Sequence, residues 1–190
     1  MSLQHEPGAA KVLVTGGVRS GKSRYAEALL AGRDDVRYVA PGQRADPATD
    51  PEWAARVAAH QASRPAAWQT AETIDLGGAI RTAGAAVLVD CLGTWVAGVV
   101  DALDTWDEPL REWRSRFDEH LDALLDAWRA HPGTLVAVTN EVGWGLVSEH
   151  RSGRVFTDLL GRVNQAVAAE CDDVVLVVAG RALHLPAPGR

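Results

Sequence analysis

The chain has 190 residues, a formal net charge of −6, 47% hydrophobic residues and two cysteines. That length suits a single domain that buries its core without disulfides or structural metal, and Cys91 and Cys171 stand far apart with no C-x-x-C spacing. The acidic balance, with no lysine/arginine cluster, argues against nucleic-acid binding, and the apolar runs are strand-sized, so no membrane span is expected and a reduced, cytoplasmic protein is.

Residues 1–10 are polar and contain Pro7 and Gly8, which predicts a flexible lead-in before one domain over 11–190. The apolar run 11–15 reads as a buried strand, and Gly16, Gly17, Val18, Arg19, Ser20, Gly21, Lys22 and Ser23 follow it in the pattern G-x-x-x-x-G-K-[ST]. In that pattern glycines turn backbone N–H groups around a phosphate, Lys22 adds a point charge and Ser23 offers a hydroxyl to Mg²⁺ at a helix N-terminus. A helix over 23–31 is predicted, with Tyr25, Ala28 and Leu29 on one stripe and a stop at Gly32. Further strands are predicted at 36–40, 86–90, 134–139 and 173–179, continuous enough in apolarity to be buried on both faces, and an edge strand at 183–185. Helices are predicted from Pro51 to a stop at Pro65, over 108–130 with Leu110, Trp113, Phe117, Leu121, Leu124, Leu125 and Trp128 at spacings of three and four, and over 154–171. Strand–helix alternation gives an α/β three-layer fold, a mostly parallel sheet with helices on both faces. The seven tryptophans are read as packing.

A phosphate loop needs an acid at the end of a neighbouring strand, and Asp90 closes the apolar run 86–90. Its other reading is a cap for the next segment. On the helix after Pro51, Arg56, His60 and Arg64 are spaced i, i+4, i+8, which lines two guanidinium groups and an imidazole along one face. Such a stripe suits a polyphosphate, and a neutral imidazole can attack phosphorus; a solvated helix face fits the same spacing. Asn140, Glu141 and Gly143 follow a strand's carboxyl end, where open α/β sheets bind ligands, and they fit a structured turn equally well. His5, His120, His131, His150 and His184 have no zinc spacing and read as surface or end-of-helix histidines.

Taken together, Gly16 to Ser23, the string His60-x-x-x-Arg64-Pro65-x-x-Trp68-x-Thr70-x-Glu72, Val89-Asp90-Cys91-Leu92, Thr139-Asn140-Glu141-Val142-Gly143-x-Gly145-Leu146-Val147 and Arg154-x-Phe156-x-Asp158-x-x-Gly161-x-x-Asn164-Gln165 occur in an order that resembles one family. It is the bifunctional adenosylcobinamide kinase / adenosylcobinamide-phosphate guanylyltransferase family of cobalamin biosynthesis, the CobU/CobP type, and the resemblance spans about residue 11 to residue 185. It implies a P-loop NTPase-like, RecA-like domain with GTP and ATP as substrates, Mg²⁺ held by Ser23 and Asp90, and a corrinoid, adenosylcobinamide, as the acceptor. It implies that Lys22, Asp90 and His60 are catalytic, with His60 carrying GMP. Nucleotide contacts map onto residues 16–23, Ala40, Pro41 and Gly42, onto Gln61, Ala62, Ser63 and Arg64, and onto Glu72 and Asp90. A homotrimer is implied too. The chain departs from the family pattern at Gln61 and Thr157, where arginine is usual, at Ser148, where proline is usual, and in the loop after Ala40.

Overall fold

The computed structural model describes residues 10–42, 48–49, 51–62 and 64–187, without the side chains at 53, 56 and 59–62. The lead-in expected over 1–10 therefore lies almost wholly outside the described residues. The elements in order are β1 (Lys11–Gly16), α1 (Lys22–Leu29), β2 (Val36–Ala40), α2 (Pro51–Ala62), β3 (Gln69–Glu72), α3 (Leu76–Arg81), β4 (Ala86–Asp90), α4 (Leu92–Leu103), α5 (Leu110–Ala130), β5 (Thr134–Val138), α6 (Arg151–Ala168), β6 (Asp173–Val178) and β7 (Arg181–Leu185). The strands form one sheet in the order β3-β2-β4-β5-β1-β6-β7. Strands β1 to β6 are parallel and β7 returns antiparallel to β6. From β1 the chain crosses to β2 on one side, whereas from β5 it crosses over β1 to β6 on the other, so the direction of winding reverses beside β1.

Successive residues of the buried strands point to opposite faces, and each face has its own core. On one, Leu13, Val39, Val87, Val89, Leu135 and Ala137 meet α3, α4, α5 and α6. Every predicted core position of the long helix is buried there except half-buried Leu110. The indole N–H groups of Trp95, Trp113 and Trp128 each reach a backbone carbonyl, of Ile74, Glu108 and Glu170, so burying them leaves no donor unmet. On the other face Val12, Val14, Tyr38, Leu88, Val136, Val138 and Val175 pack with α1 and Trp68.

Four expectations change. Of the expected stripe of α1, Tyr25 is half-buried against the core, but Ala28 and Leu29 are exposed; the fully buried positions are Ala26 and, at the C-cap, Leu30. The phosphate loop sets the helix rotation: the turn that aims Lys22 inward carries positions 26 and 30, four and eight residues on, down onto the sheet. Strand β3 and helices α3 and α4 went unpredicted as elements; β3 is a four-residue edge strand of mostly exposed residues with no apolar alternation, paired along its length with β2. Trp144 is 73% exposed, against the reading of the tryptophans as packing. His131 does end a helix, as expected, but it is buried rather than a surface group.

Candidate active site

Four of the site candidates stand at the carboxyl ends of parallel strands. Gly16 ends β1, Ala40 ends β2 opposite Glu72 at the end of β3, and Asp90 ends β4. The loop after Gly16 is closely confined. A Cβ on Gly16 would lie 2.5 Å from the Val177 carbonyl oxygen, and Gly21 takes a φ of +95° with only 3.3 Å from its would-be Cβ to the Gly180 Cα. Ser20 O accepts from Gly180 N at 2.8 Å, so the turn between β6 and β7 braces the loop from outside. Arg19 also takes positive φ, 58°, and Val18 stands exposed at the tip. This bent backbone leads straight into the first turn of α1, the geometry in which amides converge on an anion.

Lys22 Nζ donates to the Gly17 carbonyl at 3.1 Å. Burial lowers the pKa of its ammonium, with Cys91 and then Asp90 acting in the opposite direction. Asp90 is thus near enough to be felt by Lys22, and it is not the cap of the next helix: that role falls to Cys91, whose thiol and backbone N–H engage Thr94. Burial, and after it the Asp90 charge, raises the Cys91 thiol, which stays protonated.

Beyond Asp90 the site continues through a residue that the motifs did not flag. Tyr38 is 1% exposed, and its hydroxyl donates to Asp90 Oδ2 at 2.9 Å. Burial, followed by the Asp90 charge, raises the phenol far above its usual range, so it remains a donor. On the ring of Tyr38 lies the Arg64 guanidinium, 3.6 Å from the centroid, with Arg64 Nη1 donating to Thr70 Oγ1 at 3.4 Å. Position 64 follows α2, whose last turn carries position 60. The side chains of His60, Gln61 and Ala62, and Ser63 altogether, lie outside the described residues. Trp68 buries its ring and donates to the Arg33 carbonyl at 2.8 Å, which fastens the stretch between Arg64 and β3 to the loop before β2.

Two buried polar atoms at the site have no partner among the described residues: Ser20 Oγ in the phosphate loop and Arg64 Nε. Both suit an oxygen-rich anion. A metal here could draw on the Ser23 hydroxyl and the Asp90 carboxylate, hard oxygens of the kind Mg²⁺ takes together with phosphate and water. Among the described residues no cluster of three His, Cys, Asp or Glu is built for a metal. Pro41 is buried and its carbonyl oxygen lies 3.3 Å from the position a Cβ on Gly98 of α4 would take, while Gly42 is half-buried beside it. Past β5, Thr139 Oγ1 donates to Asn164 Oδ1 at 2.6 Å and Asn164 Nδ2 to the Asn140 carbonyl at 3.1 Å, and Glu141 N reaches the Gly16 carbonyl at 3.3 Å. The late motif asparagine therefore pins the turn beside the phosphate loop. That explains Asn164 structurally, and the Asn140 side chain lies against the start of α4, its Nδ2 3.4 Å from the position a Cβ on Gly93 would take.

The family described as cobinamide kinase / cobinamide phosphate guanyltransferase matches residues 12–185. The chain is 42% identical over 178 residues, 89% of itself and 96% of the relative, to the bifunctional adenosylcobalamin biosynthesis protein CobU of Salmonella typhimurium. It is 38% identical over 182 residues to the bifunctional protein CobP of Pseudomonas aeruginosa, covering 93% of this chain and 96% of that one. In fold it is similar to an ATPase of the type III secretion system of pathogenic bacteria, with a TM-score of 0.53 and 13% identity; the match covers 89% of this chain and 51% of that ATPase.

Proposed function

The chain belongs to the cobinamide kinase / cobinamide phosphate guanyltransferase family, an enzyme of cobalamin biosynthesis, and from that premise we propose that one phosphate cradle, residues 16–23, serves both transfers. In the first, the hydroxyl oxygen of adenosylcobinamide attacks the γ-phosphorus of ATP or GTP; the new O–P bond replaces the bond to the bridging oxygen, and a nucleoside diphosphate leaves. In the second, a neutral His60 nitrogen attacks the α-phosphorus of GTP, the N–P bond forms and pyrophosphate leaves. A phosphate oxygen of adenosylcobinamide-phosphate then displaces the imidazole, breaking that N–P bond and giving adenosylcobinamide-GDP.

The observation that carries this reading is a pair of contacts, Asp90 to Tyr38 and Tyr38 to Arg64, four residues past His60, beside a phosphate loop whose Lys22 feels the Asp90 charge. It supports a single site in which the arm bearing His60 and the phosphate loop attend the same triphosphate. Lys22 and the loop amides hold the phosphates, Arg64 Nε balances charge near the arm, and Ala40, Pro41, Gly42 and Glu72 border the nucleotide. Mg²⁺, held by Ser23 and Asp90, would supply further neutralisation of phosphate charge. No helix among the described residues is long and apolar enough to cross a membrane, and we assign the enzyme to the cytoplasm as a homo-oligomer, the trimer its resemblance implies.

The test is intact-mass spectrometry after incubation with GTP and Mg²⁺. Wild-type protein gains an acid-labile GMP and His60→Ala does not; an adduct that persists in His60→Ala removes His60 from the mechanism.

A further inference from the structure

Tyr38 is fully buried in the apolar cluster on the α1 face of the sheet, where phenylalanine would fill its place equally well. Its hydroxyl therefore needs an explanation. Strand pairing sets Tyr38 opposite Leu88, and Asp90, two residues further, returns to the same face of the sheet. A buried phenol must find an acceptor. The three fully buried tryptophans find theirs in backbone carbonyls, which any sequence supplies; Tyr38 instead takes the carboxylate oxygen that ends β4. The opposite surface of the same side chain is in use as well, since its ring face seats Arg64.

We propose that Tyr38 is a positioning residue for both transfers: its hydroxyl fixes the orientation of the Asp90 carboxylate, and its ring anchors the segment that follows α2, so that the acid and the His60 arm are held by one side chain. This rests on the roles given above to Asp90 and His60. With Oδ2 held by the phenol, Asp90 has Oδ1 left for the metal side, and a carboxylate gripped in this way loses little freedom on binding a cation. Arg64, fixed between Tyr38 and Thr70, limits where the last turn of α2 can sit.

The experiment compares Tyr38→Phe and Tyr38→Met, using α,β-methylene-GTP, which cannot be cleaved at the α-phosphorus, for binding and GTP for adduct formation. Manganese binding to the nucleotide complex, followed by electron paramagnetic resonance, weakens about tenfold in Tyr38→Phe. Metal-free nucleotide affinity stays within about twofold, and at saturating metal the GMP adduct forms within about threefold of the wild-type rate, because the ring under Arg64 remains. Tyr38→Met loses the same metal affinity and in addition forms the adduct about tenfold more slowly at saturating metal. Wild-type manganese affinity in Tyr38→Phe overturns the proposal, as does a loss matched by an equal loss of metal-free nucleotide affinity, which marks general damage to the core. If Tyr38→Met does not fold, Tyr38→Phe decides. A wild-type protein that forms no adduct overturns the reading of His60 instead, and the manganese titration still decides on Tyr38.

Discussion

On the face of the sheet covered by α3 to α6, Trp95, Trp113, Phe117 and Trp128 are fully buried and every indole N–H is answered by a backbone carbonyl. On the α1 face the largest fully buried side chain is Tyr38, and it is answered by a carboxylate. The first face answers its large indoles locally, with main-chain oxygens. The second passes its polar contacts on, from Arg64 to Tyr38 to Asp90 toward Lys22, and ends at atoms that suit an anion. One sheet thus separates the work of stability from the work of chemistry, and substitutions on the two faces should fail in different ways.

The largest expected difference is in activity. His60→Ala abolishes the GMP adduct, while phosphorylation of cobinamide, assayed separately by chromatography of the corrinoid, continues within about threefold, since no covalent histidine takes part in that step. Asp90→Asn keeps shape but removes the charge, and both transfers fall by about 10²–10³-fold with the fold intact by circular dichroism. On the other face Trp113→Ala, which empties a fully buried site, costs about 3–5 kcal/mol in chemical denaturation, with the specific activity of the remaining folded protein unchanged. Gly98→Ala is smaller: its Cβ would stand 2.9 Å from Ile74 Cγ2 and 3.3 Å from the Pro41 oxygen, an overpacking cost of about 1–3 kcal/mol. Smallest is a pH effect far from the site. His131 is buried at the end of α5, and burial, then the charge of Lys11, lowers its pKa from 6.5. Above that value the imidazole is neutral both folded and unfolded; as pH falls below it the unfolded chain takes up the proton first, so stability declines until the lower folded value is reached. Denaturation midpoints at about pH 7 and about pH 5.5 should differ, and His131→Asn should flatten the difference.

The two regions were not equally legible. The phosphate loop could be read because its spacing is itself the chemistry: the glycines and Lys22 stand where the backbone must bend and charge must sit. The place of Asp90 at the end of β4 could be read from the apolar run it closes, and the cap of the next helix is Cys91 instead. Tyr38 was hidden because a tyrosine in a buried strand is indistinguishable from packing until the pairing of β2 with β4 shows what its hydroxyl reaches. The phase of α1 was misjudged for a related reason, since local apolarity favoured Ala28 and Leu29 while the inward aim of Lys22 decided the rotation. Strand β3, four residues with no alternation, was hidden because its place is set by pairing with β2 rather than by an apolar pattern of its own.

A single cradle for both transfers is tested most directly by Lys22→Ala, with initial rates measured for phosphorylation of cobinamide and for formation of the His60–GMP adduct. If residues 16–23 hold the triphosphate in both reactions, both rates fall, each by about 10²–10³-fold. An Lys22→Ala enzyme that loses phosphorylation but still forms the adduct at the wild-type rate would contradict a shared site and require a second one for guanylylation.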